Sequence, residues 1–156
     1  MNFSRTRSIL AALLLSILLF TTACAQKEAG RFDQVQQEST QGSEFNKFFP
    51  AASDGYQRVF TQEKKGFAQA KLKKDGKEVA KISVNDTISN PSAAAKFAKS
   101  SKKISGYPAV ESGKQTAVLV SDRYQVKIIS SDPDTFTAAD REAWLKKFNL
   151  SGLSRV

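Results

Sequence analysis

The chain has 156 residues with one cysteine and no histidine, and 24 Lys and Arg against 15 Asp and Glu give it a net charge of +9. Without imidazole, the commonest general base, a frequent metal ligand and every Ser-His or Cys-His nucleophile are excluded. One cysteine rules out an internal disulfide and Cys-ligated zinc or iron–sulfur centres, and the length suits a single modest core.

Met1 to Arg7 carries Arg5 and Arg7 and no acid, and Ile9 to Phe20 is apolar except for Ser16. A membrane-spanning helix needs about 20 apolar residues, so this run is too short to be one. A basic start, a short apolar stretch and the small residues Thr21-Thr22-Ala23 are the parts of a secretory signal peptide. With Cys24, those last residues resemble the lipobox of bacterial lipoproteins, although Thr21 stands where a Leu is usual. The resemblance implies cleavage after residue 23. Cys24 would take acyl chains such as palmitate and anchor the protein on the extracytoplasmic side of a membrane. Ala23-Cys24-Ala25 is also an A-x-A site, and cleavage after Ala25 would instead release a secreted protein. Losing residues 1–23 removes two basic residues and leaves a net charge of +7.

Ala25 to Ser43 is rich in Gln, Glu, Ser and Gly without sustained periodicity, so residues 24–43 read as the lipidated cysteine and a disordered tether. The folded domain is expected over 44–156. Phe45, Phe48 and Phe49 share one face of a helical turn ended by Pro50, and they read as an entry helix packed on the sheet. Tyr56 to Gln62 is a candidate strand. Ala68, Ala70 and Leu72 alternate with polar residues, as do Ala80, Ile82 and Val84, so strands are expected at 67–73 and 78–84. A three-residue Lys74-Asp75-Gly76 loop with Gly76 left-handed would set Ala70 opposite Ala80 and Ala68 opposite Ile82.

Asn90 then caps a helix that starts at Pro91 and presents Ala94, Phe97 and Ala98. Ile104 to Glu111 reads as a strand. Val118 and Val120, then Tyr124, Val126 and Ile128, alternate around Ser121-Asp122-Arg123. Thr137 to Asp140 opens a last helix with a capping-box variant, and Trp144, Leu145 and Phe148 point inward. Gly55-Tyr56 returns as Gly106-Tyr107, and Val79 to Ile82 matches Gln125 to Ile128. The expected fold is a single α+β domain, an antiparallel sheet with helices on one face, built as two βββα units.

Chemistry is sparse. Ser101 beside Lys102 and Lys103 has the composition of a Ser-Lys dyad, but its lysines sit in a solvated basic run. Asp132, Asp134 and Asp140 gather near the last helix without the glycine and terminal glutamate of a calcium loop. No paired-carboxylate motif stands out, and no phosphate-binding glycine loop is present. The sequence therefore reads as non-enzymatic, with no cofactor and no metal. The positive signal is charge, because residues 44–156 carry a net +8. In the expected register Lys71, Lys73, Lys77 and Lys81 share the outer face of the first hairpin, where they could meet anionic lipid, an anionic wall polymer or an acidic protein. The same lysines could simply keep an exposed sheet soluble. Nucleic acid is a poor match, since aromatic residues do not interleave the lysines.

GYPAV (Gly106 to Val110) and LVSDRYQVKI (Leu119 to Ile128) resemble segments of small lipoproteins of cyanobacteria. That resemblance implies a protein attached to the plasma or thylakoid membrane and would place photosynthetic assembly factors among the conceivable partners, without identifying one. The leading expectation is a membrane-tethered extracytoplasmic binding or assembly domain. The second is a surface protein whose basic face contacts anionic lipid or polymer.

Overall fold

Seven strands, β1 (Tyr56–Lys64), β2 (Phe67–Lys74), β3 (Lys77–Asp86), β4 (Lys103–Ile104), β5 (Tyr107–Ser112), β6 (Gln115–Val120) and β7 (Tyr124–Ser130), make one open antiparallel sheet. Their spatial order is β1-β2-β3-β7-β6-β5-β4. The computed structural model describes residues 38–156, so the expected export signal, Cys24 and the chain up to residue 37 lie outside the described residues. Within these bounds the α+β expectation holds in its coarse form: the antiparallel sheet dominates and the helices are short.

Alternation decides which residues are inside. Ala68, Ala70 and Leu72, Ala80, Ile82 and Val84, Val118 and Val120, and Val126 and Ile128 are buried on one face. Small strand residues leave room for the large side chains laid over them. The 3₁₀ helix Gly42–Phe48 brings Phe45 and Phe48, with Phe49 just after it. Helix α2 (Ala138–Lys146) and the segment after it bring Trp144, Leu145 and Phe148. Edge-to-face pairs join the layers, Phe45 with Tyr124 at 5.9 Å, Phe49 with Phe60 at 5.1 Å and Tyr56 with Trp144 at 5.0 Å. Burying each such side chain contributes about 1.5–3 kcal/mol. Thr137 and Asp140 close the capping box as expected.

Four expectations are corrected. The first hairpin turns on two residues, Asp75 (φ 50°) and Gly76 (φ 77°), rather than three. Gly76 is left-handed as expected, but Ala70 faces Ile82 and Ala68 faces Val84. A bulge at Val79 restores the match of apolar faces that a longer loop was expected to supply. Second, Ile104 to Glu111 is not one strand, because Ser105 and Gly106, both at positive φ, fold it into the β4–β5 hairpin.

Third, the helices do not share a face. Helix α1 (Ser92–Ala95) and the turns after it place Phe97 against Ala117 and Leu119, on the sheet face opposite Val118 and Val120. Ala98, expected on that contact, is exposed. Fourth, the fold begins before Glu44. The Thr40 amide donates to Asp86 Oδ2 (3.0 Å), the Gly66 amide donates to the Thr40 carbonyl (2.7 Å), and Ser39 meets Ser89 (2.8 Å). Residues 38–43 are a strap across one end of the sheet.

Candidate functional site

The outer sheet face carries the lysines, and its register decides which of them meet. Lys71 and Lys81 are direct cross-strand partners on β2 and β3. Two ammonium groups so placed repel, and Glu78 offsets this with Oε2 at 2.9 Å from Lys71 Nζ and Oε1 at 3.9 Å from Lys81 Nζ. Lys73 lies opposite Glu78 on the same face. The lysine side chains stay 39% (Lys71) and 48% (Lys81) exposed, so the glutamate tempers the charge without covering it. Lys77 is the expected member that leaves. The Val79 bulge sets it opposite Lys74 at the turn, on the other face of the ladder.

Two lysines join that the sequence reading did not include. Strand β7 lies beside β3, with Ser83 opposite Lys127 and Lys81 opposite Ile129, so Lys127 stands diagonal to Lys81 on the outer face. Lys96, from the turns after α1, approaches Lys127 on that side. Burial and then the Lys127 charge hold the Lys96 ammonium below the usual lysine pKa. The outward direction of Lys127 was legible from its place between Val126 and Ile128. The β3–β7 contact, between residues 38 to 50 apart in the chain, was not.

The other candidates are absorbed by the scaffold. Lys102 binds Glu111 (3.1 Å) and Glu142 (3.2 Å), which raise its pKa, the reverse of what a lysine base needs. Asp132 Oδ1 accepts from the Asp134 amide at 3.0 Å, and Asp140 is held below the usual carboxylate pKa by Thr137, its capping-box partner. Among the described residues, no group of three or more Asp, Glu, Cys or His is placed to hold a metal. Phe45, Phe48, Phe49 and Trp144 are core, as expected.

A charged constellation around Asp86 leaves no signal in the sequence pattern. Asp86, with its side chain 0% exposed, accepts a fork from Arg123 Nε (3.0 Å) and Nη2 (2.8 Å) and the amides of Thr40 (3.0 Å) and Ile88 (3.2 Å). Burial alone would raise this carboxyl, but the guanidinium and two amides outweigh it and hold the pKa below the ordinary range. Arg123 Nη2 also donates to the Glu38 carbonyl at 2.9 Å. This pair fastens the strap to β3 and to the β6–β7 turn. An open cleft of ≈ 450 Å³ next to it is lined by Ile88, Pro91, Ala94, Arg123, Tyr124 and others.

No helix among the described residues is long and apolar enough to cross a membrane. Compared with protein-family models, curated proteins and solved structures, the chain has no match.

Proposed function

We propose that this is an exported lipoprotein, anchored through Cys24, whose domain is a non-enzymatic binding module that rests its basic outer face on an anionic surface. The observation that supports it is the clustering of Lys71, Lys73, Lys81 and Lys127 on one exposed face with Glu78 as the carboxylate among them. Each lysine near an anionic surface contributes roughly 1 kcal/mol. Three or four of them reach about 3–4 kcal/mol, a roughly millimolar affinity on its own. Such a face cannot hold the protein on a membrane unaided. An anchor supplies the rest, because attachment through Cys24 makes the contact between the lysine face and the bilayer intramolecular and so raises its effective concentration. The anchor retains the protein, and the lysines orient it.

Mass spectrometry of the protein from its own membrane tests the first half. The expected N-terminus is Cys24 carrying acyl chains, and an N-terminus at Gln26 would replace the anchor by secretion. The second half is tested on the mature polypeptide, residues 24–156 with Cys24→Ser, using vesicles containing phosphatidylglycerol. Sedimentation with vesicles is expected at low salt, release at physiological salt, and no binding when Lys71, Lys73 and Lys81 are all changed to Gln. A domain that ignores these vesicles at low salt refutes the surface role.

Strands β1–β3 and β5–β7 support descent of the two halves from one βββ unit, with β4 added to the second. Ile82 and Ile128, equivalent in the internal alignment, are direct partners at the centre of the β3–β7 ladder. The turns Asp75-Gly76 and Ser121-Asp122 share two successive positive φ values. In such a history the helices diverged, since they now occupy opposite faces.

A further inference from the structure

The outer-face lysines lead to a shallow groove of ≈ 280 Å³ lined by Lys96, Val110, Ser112, Gln115 and Ala117. Its floor is one pair of the β5–β6 hairpin, Val110 opposite Ala117, and the next same-face pair, Ser112 opposite Gln115, forms its rim. The Lys96 side chain forms one wall. On the other side, Ala117 is the direct partner of Lys127 and Gln115 of Ile129. The apolar floor thus lies between the Lys96 side chain and the strand position of Lys127, and no carboxylate lines it. The volume falls just below the usual range of small-molecule pockets, about 300–1,000 Å³, which suits one slender chain and not a folded partner.

We propose that this groove binds a single anionic lipid of the bilayer, its phosphate between Lys96 and Lys127 and the start of an acyl chain on Val110 and Ala117. The inference rests on the reading that the outer face meets a membrane, and it converts diffuse attraction into one defined site. Charge complementarity selects the occupant. Partial desolvation disfavours the Lys96 cation, and the Lys127 charge disfavours it further. A phosphate between them relieves both costs, whereas a neutral amphiphile relieves neither. Binding should accordingly raise the Lys96 pKa.

The test uses the mature polypeptide, residues 24–156 with Cys24→Ser, and follows the Val110 and Ala117 methyl resonances. The probe is lysophosphatidylglycerol below its micelle concentration, with dodecyl maltoside and glycerol phosphate as controls. Saturable shifts at both methyls with the anionic amphiphile are expected, roughly fivefold weaker in Lys96→Gln. Dodecyl maltoside should bind at least as weakly as that variant, and glycerol phosphate should leave the methyls unmoved. Ser112→Trp, at an exposed rim position, fills the groove without touching the core and should abolish the shifts while vesicle adsorption at low salt persists. Equal response to the neutral amphiphile, or full binding in Ser112→Trp, overturns the site. Methyls that stay still while vesicles are bound overturn the groove and leave the surface reading standing. Vesicles ignored at low salt overturn the surface reading and the groove with it.

Discussion

Changing Asp86 to Asn should loosen the strap and destabilise the domain by about 3 kcal/mol. Asn is nearly isosteric, so no cavity forms and the loss is electrostatic. The carboxylate accepts four hydrogen bonds, two from Arg123 and one each from the Thr40 and Ile88 amides. Asn keeps one acceptor oxygen and turns the other into a donor, which at either position must face a guanidinium N–H and a backbone amide, that of Ile88 or that of Thr40. Removing one partner of a buried ion pair costs about 3–5 kcal/mol. The lower end applies, because the Arg123 side chain is 16% exposed and retains the Glu38 carbonyl. Against a total stability of about 5–15 kcal/mol, the variant still folds.

Urea unfolding measures that loss, and amide hydrogen exchange locates it. The Thr40 and Gly66 amides, one bonded to Asp86 and the other to the strap, should exchange faster than the central-strand amides of Ile82 and Val126. Adding Arg123→Gln should cost less than the two single changes summed, with a coupling of about 1–3 kcal/mol. The acid limb supplies a sign check. Asp86 has a lowered pKa in the folded state, so its contribution is full above the ordinary carboxylate value of about 3.9 and is lost as pH falls through the folded value. The difference between parent and Asp86→Asn should be flat from about pH 5 to 8 and shrink below about pH 4. A variant within about 0.5 kcal/mol of the parent, with Thr40 and Gly66 as protected as before, would refute the reasoning.

Two glycine changes separate crowding from backbone strain. A Cβ at Gly42 would sit 2.5 Å from the Lys64 N, Lys64 O and Phe67 O atoms, all backbone, so Gly42→Ala should cost about 2–3 kcal/mol in urea unfolding; a neutral effect would mean the strap is not seated there. Gly76 has open space where a Cβ would stand but φ 77°, so Gly76→Val should cost about 1–2 kcal/mol through backbone strain alone, and no loss would contradict the turn.

The sequence by itself determined what depends on local spacing. Period-two runs put Ala68, Ala70 and Leu72 and then Ala80, Ile82 and Val84 inside, and Thr137 with Asp140 marked where the last helix begins. It also identified Gly76 as the left-handed turn residue, since a hairpin between those strands requires one. Tertiary structure decided whatever depends on which distant segments touch. The Val79 bulge moved Lys77 off the lysine face because pairing along the whole hairpin, and not turn length alone, sets the register. The β3–β7 contact brought Lys127 beside Lys81, and the crossing of α1 to the opposite face brought Lys96 towards it. The strap stayed hidden for a related reason. Glu38 to Ser43 has no apolar periodicity, and what holds it is a backbone amide, a buried carboxylate on β3 and a guanidinium at the β6–β7 turn. Hydrogen bonds to backbone leave little trace in side-chain pattern, so only the folded chain reveals that the domain begins there.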